Sequence, residues 1–258
     1  MHNATNNPQE RADGVMNEVE AFNGAARGRI GARRATNAID RIGAFSGTLY
    51  VLLALLGSAL IGERSNRAES PGEQILEEQQ RYAENPWTNV AFAVVILAQL
   101  ALILFVGYLC ARVREAGWFA TTALVGGTAA LIANFLSVSI VIAVFVLRDN
   151  ISTELARALQ DLDGAGHLIQ LLPLGVFAVF TSVAALVTRT LGPVLSWAGI
   201  AIGAMSIVVL AASGLPANDE FFVWPFLLIL LWMTVISLRF GFARNRTATP
   251  DGVAQTDP

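Results

Sequence analysis

WFATTALVGGTAALIANFLSVSIVIAVFVL, residues 118–147, is an apolar run without a single Asp, Glu, Lys, Arg or His. Lipid offers a backbone no hydrogen-bond partner, so a chain crosses it as a helix that satisfies its own N–H and C=O groups. A hydrocarbon core of about 30 Å needs about 20 helical residues at 1.5 Å each. Trp118 to Leu147 is longer than that and reads as a membrane span. Working outward, five more segments meet the same test: Ile42 to Gly62, Trp87 to Ala111, Leu168 to Thr188, Pro193 to Ala212 and Phe221 to Leu238. The expected fold class is all-α, a polytopic membrane protein with six transmembrane helices. The period-two alternation of a transmembrane β-barrel is missing.

Composition agrees. The 258 residues are 54% hydrophobic and 14% charged, against about 25% charged in soluble domains, and mean hydropathy is +0.55. All 17 basic residues are arginine. With abundant Ala, Gly, Leu and Val, that bias reads as a GC-rich bacterial genome, and the expected location is the bacterial cytoplasmic membrane.

Arginine also orients the spans, because short cytoplasmic loops hold the excess of positive charge. Twelve of the 17 fall on one side: Arg11, Arg27, Arg29, Arg33, Arg34, Arg41, Arg112, Arg114, Arg189, Arg239, Arg244 and Arg246. Arg64, Arg67, Arg81, Arg148 and Arg157 fall on the other. Both termini are therefore expected inside. The chain divides into an Arg-rich, largely disordered cytoplasmic tail over 1–41, a six-helix domain over 42–239 and a disordered cytoplasmic tail over 240–258. Few apolar residues in the tails can offset the entropy of ordering.

Two inner connections, Arg112 to Gly117 and Arg189 to Gly192, read as tight turns. Two outer ones are long enough for helices of their own. Ser70-Pro71-Gly72-Glu73 reads as a capping box with Pro71 at the first helical position, and Asn85-Pro86 as the stop. Ser152 reads as the cap of a short second helix that ends at Gly164. Both would lie over the outer ends of the spans. Trp87, Trp118, Trp197 and Trp224 fall at expected interfaces; Trp232 falls mid-span, where it can face lipid or fill the bundle.

In lipid, helices associate through small residues that let backbones approach. Gly43, Gly47, Tyr50, Ala54 and Gly57 form one such stripe, Ala123, Gly127, Ala130, Asn134 and Ser137 a second, and Gly192, Ser196, Gly199, Gly203 and Ser206 a third. On this pattern the first, third and fifth spans are expected inside the bundle, and Gly199 and Gly203 are expected against the first or third. The packing residues singled out are Gly43, Gly47, Gly127, Gly199 and Gly203.

Two amides lie deep, Gln99 in the second span and Asn134 in the third. Each must find a partner, because an unsatisfied polar group in hydrocarbon costs several kcal/mol. They serve either as a clamp between helices or, with Ser137, as polar contacts on a path for a small molecule. No haem-bearing histidine, serine-protease pair, metal cluster, Walker or Rossmann motif, or span-buried carboxylate for ion coupling is legible, so no catalytic residue, cofactor or metal is assigned. The lone Cys110 reads as a small apolar filler. Nucleic acid is not an expected partner, because the arginines of 25–41 lack interleaved aromatics; membrane lipids, another membrane protein or a second copy are.

Several segments resemble six-span actinobacterial integral membrane proteins of unknown function: RIGAFSGTLY at 41–50, NPW at 85–87, FVGYLCAR at 105–112, ALVGG at 123–127, LPLG at 172–175 and LGPVLSW at 191–197. The resemblance covers most of Arg41 to Arg239 and implies a six-helix membrane fold without supplying a mechanism. Three roles remain open: a non-catalytic accessory protein acting through lipids or partners, passive or facilitated passage of a small neutral or lipidic molecule, and a lipid-modifying enzyme. A cavity beside Asn134 favours passage, and a solid centre favours the accessory role.

Overall fold

Long apolar segments with polar breaks produce long helices with short connections. The computed structural model describes residues 38–60, 71–212 and 220–243. Among these the chain is all-helical: α1 (Ala38–Leu60), α2 (Gly72–Glu84), α3 (Thr88–Arg112), α4 (Trp118–Leu147), α5 (Thr153–Thr188), α6 (Pro193–Ala212) and α7 (Glu220–Ala243). All but α2 are long and apolar enough to span a bilayer, so this is a six-span membrane protein. The described residues from Gly43 onward pack as one unit; of the residues before it, only the opening turn of α1 is described. The remainder of the 1–41 tail, Ser70 and most of the 240–258 tail lie outside the described residues.

The tight connections form as their residues dictate. A 3-10 turn, Arg114–Ala116, leads to Gly117 at φ 63°, ψ −123°, a conformation that a Cβ would obstruct. At the end of α5, Arg189 takes the left-handed conformation at φ 54°, while the N–H of Thr190 reaches back to the Ala185 carbonyl and closes the turn before Pro193. Pro71 stands just before the first turn of α2 rather than in it, and Asn85 caps its end.

Three expectations are corrected. First, Gly164 does not end a separate short helix. The Ser152 hydroxyl accepts from the Leu155 N–H at 3.2 Å and opens α5, which then runs unbroken to Thr188. Neither Gly164 nor Gly166 has a positive φ, and the whole N-terminal part of α5 is held by packing: Ile75 of α2, Val144 of α4 and Ala156 of α5 share a small apolar cluster. Tertiary packing here outweighs the roughly 1 kcal/mol that a helical glycine costs.

Second, the interior helix is α5, the fourth span, half of whose apolar window is buried, against 22% for α6, the fifth. A stripe of small residues marks one close contact rather than an enclosed helix. Small residues line one face of α6 while the rest looks outward; α5 is flanked by α2, α4, α6 and α7.

Third, Gly199 and Gly203 meet α5 and α7, not the first or third span. A Cβ on Gly203 would stand 2.6 Å from the Gly175 carbonyl oxygen, and one on Gly175 would stand 2.8 Å from the Gly203 carbonyl. A Cβ on Gly199 would meet Ser182 Oγ and Trp232. Gly43 and Gly47 of α1 pack under Tyr108 and Phe105 of α3, and Gly127 of α4 packs under Val106 and Phe177. Trp232 fills the bundle: it is 3% exposed, donates from Nε1 to the Leu195 carbonyl at 3.1 Å and meets Phe177 edge-on. Trp87, Trp118, Trp197 and Trp224 face outward.

One contact joins the two ends of the domain. Ser237 of α7 is fully buried, donates to the Ala44 carbonyl of α1 and accepts from the Thr48 N–H at 3.0 Å. Those two backbone groups are i and i+4, so the serine hydroxyl sits within the α1 hydrogen-bond ladder.

Candidate functional site

A cavity of about 490 Å³ opens among α1, α3, α4, α5 and α7, within the size range of small-molecule sites. Its walls are apolar, with Leu55, Phe92, Val95, Val138, Val141, Phe226 and Leu227 among them. Its polar lining is small and specific: Tyr50, Ser58, Gln99, Asn134, Ser137 and His167.

All three polar residues singled out in the sequence, Gln99, Asn134 and Ser137, line this cavity. Asn134 Nδ2 donates to Gln99 Oε1 at 3.0 Å, joining α4 to α3. Tyr50 of α1 lines the same cavity. The two amides thus clamp helices and border the cavity at once. Gln99 Nε2 has no hydrogen bond among the described residues, so it keeps its N–H donors.

Ser137 belongs to a second group. It is 1% exposed, and its hydroxyl lies 3.3 Å from the Asp163 carbonyl oxygen and 3.1 Å from His167 Nδ1. His167 Nδ1 in turn lies 2.9 Å from the Asp163 carbonyl and 3.3 Å from Asp163 Oδ1. Asp163 is completely buried, which corrects the expectation that no carboxylate is buried in a span helix. The sequence placed Asp163 in a surface helix before Gly164; the continuity of α5 carries it into the bundle, one helical turn from His167. Gly166 makes the approach possible, since a Cβ there would stand 3.0 Å from Ser137 Oγ.

Serine, histidine and aspartate invite comparison with a nucleophile–base–orienter relay, but the geometry differs. In a relay the serine and the carboxylate occupy opposite nitrogens of the ring. Here Ser137 and Asp163 meet the same nitrogen. The group orients His167 rather than activating Ser137. Among the described residues, no three His, Cys, Asp or Glu side chains come together as metal ligands.

The clamp predicts coupled energetics. Asn134→Leu and Gln99→Leu should each lower stability by about 1–2 kcal/mol, the upper range for hydrogen bonds between membrane helices. The double variant should lose less than the sum, because the second substitution removes a group the first already orphaned. Unfolding of the four proteins in one detergent measures the difference; strict additivity would deny the clamp.

Comparison with protein-family models, curated proteins and solved structures finds no match for this chain.

Proposed function

We propose that this protein acts in a bacterial cytoplasmic membrane, with both termini inside, by holding or passing a small neutral, lipidic molecule in its intramembrane cavity and without catalysing a reaction. The arginine asymmetry supports the orientation. The cavity carries the functional reading: about 490 Å³ of mostly apolar wall with a few convergent polar groups at Gln99, Asn134, Ser137 and His167. A helix bundle that served only as a docking platform gains nothing from such a space, since an unfilled void forfeits packing contacts. The neutral character of the ligand follows from the lining, which among the described residues has amides, hydroxyls and one imidazole and no arginine or acid side chain.

Filling the cavity tests this. Val138 lines it and is partly buried, so Val138→Trp should occupy its volume. Native mass spectrometry of gently solubilised wild-type protein should show a small co-purifying molecule. The Val138→Trp protein should lack it while melting within a few degrees of wild type. An identical adduct on both proteins would locate the ligand elsewhere; no adduct on either would remove the support for a ligand-holding role.

A further inference from the structure

The hydrogen bonds around His167 fix more than its position. A backbone carbonyl oxygen can only accept, and His167 Nδ1 lies 2.9 Å from that of Asp163, with the Asp163 carboxyl Oδ1 3.3 Å away. Nδ1 must therefore carry a proton. In the neutral ring that leaves Nε2 as a bare lone pair, the tautomer being set by the partner of the other nitrogen. The Ser137 hydroxyl donates to the Asp163 carbonyl, which leaves its oxygen lone pairs to accept from Nδ1–H at 3.1 Å. All the polar contacts of His167 run through Nδ1, and among the described residues none engages Nε2. The side chain is 45% exposed and lines the cavity.

We infer that His167 Nε2 is the acceptor of a hydrogen bond from the cavity's ligand, and that this ligand is a neutral amphiphile bearing a hydroxyl group. Asp163 is the positioning residue, acting through the ring. The rest of the lining agrees with the class. The Gln99 Nε2 donors answer the oxygen of an alcohol, His167 answers its hydrogen, and the apolar walls take its hydrocarbon. The inference rests on the cavity being a ligand site, and it goes beyond that reading by naming the contact atom and the functional group.

The test uses the full chain in phosphatidylcholine nanodiscs, with decanol and its isomer methyl nonyl ether as probes. The two share size and atoms; only the alcohol can donate. Equilibrium dialysis, with Val138→Trp as the baseline for binding outside the cavity, should show wild type preferring decanol by about tenfold, as one hydrogen bond to a group otherwise left unpaired allows. His167→Phe should bring the two within about twofold, while His167→Gln, which offers a carbonyl at similar reach, should keep part of the preference. The chain contains only two histidines, His2 and His167, so ¹⁵N-histidine spectra can read the tautomer directly; the proton is expected on Nδ1. Equal cavity binding of the two isomers by wild type would overturn the inference and leave the cavity reading standing. Binding no greater than in Val138→Trp would overturn both. A proton on Nε2 of the neutral ring would overturn the inference alone.

Discussion

Replacing Trp232 by alanine should destabilise the protein by about 3–5 kcal/mol, the range for emptying a large aromatic site in a packed interior. The indole is almost wholly enclosed, between α6 and the Phe177 ring of α5. Its absence leaves a void that helices pinned by glycine contacts cannot collapse into, since a Cβ at Gly199 would already touch the ring. Trp232→Phe separates the contributions. It restores most of the volume and removes only the Nε1 donation to the Leu195 carbonyl, so it should cost about 1 kcal/mol, a typical net hydrogen bond. Thermal unfolding of both variants in one detergent ranks them. Equal losses would mean that the hydrogen bond, rather than the ring's bulk, holds α7 against α6.

The crossing of α5 and α6 carries the second large effect. Gly203→Leu should cost about 3 kcal/mol, the upper part of the range for overpacking, because backbone of α5, beside the Val179 side chain, stands against it. The Gly175 carbonyl oxygen stands 2.6 Å and the Val179 nitrogen 3.0 Å from where the new Cβ must go. A side chain could rotate away from such a clash; a helix backbone has to translate. Ile202→Leu, a similar volume on the adjacent face, should cost well under 1.5 kcal/mol. Gly164→Ala makes the complementary control. Nothing lies within 4 Å of its Cβ position, so it should stabilise α5 by about 0.5–1 kcal/mol. Equal stability of Gly203→Leu and Ile202→Leu would mean that α6 stands clear of α5. The hydroxyls of this contact would not mask the result: Ser206 donates to the Ile202 carbonyl of its own helix, so the crossing relies on the glycines.

The spans were legible because a bilayer imposes a length and a polarity that sequence displays directly; Trp118 to Leu147 and Pro193 to Ala212 begin and end as read. The glycine stripes were legible for the same kind of local reason, since small residues three and four apart share a helix face. Their partners were not. Which face meets which helix depends on the complement across the contact, and the complement of Gly203 is Gly175, part of a Gly175, Ala178, Ser182 and Ala185 stripe on α5 that was not singled out in the sequence. The polar site divides similarly. Gln99 and Asn134 stood out as amides deep in apolar runs, and each is the other's partner. Asp163 and His167 did not, because Gly164 between them read as the end of a short outer helix. Only the packing of α2 and α4 on the first turns of α5 shows that Gly164 lies within one continuous helix and that His167 reaches the cavity.

The serine that enters the α1 ladder has a consequence for how the domain is made. Ser237 and its partners are 189 and 193 residues apart, so during synthesis the first helix enters the membrane with that contact unavailable until almost the whole domain has emerged. Closing so long a loop is entropically slow. Phe226, Leu227 and Leu230 arrive on the same final helix as Ser237, and they line the cavity that α1, α3 and α4 leave open. The ribosome therefore delivers the last wall of the cavity together with the bolt that secures it, and a chain truncated before α7 would expose to lipid the polar lining that α7 helps to cover.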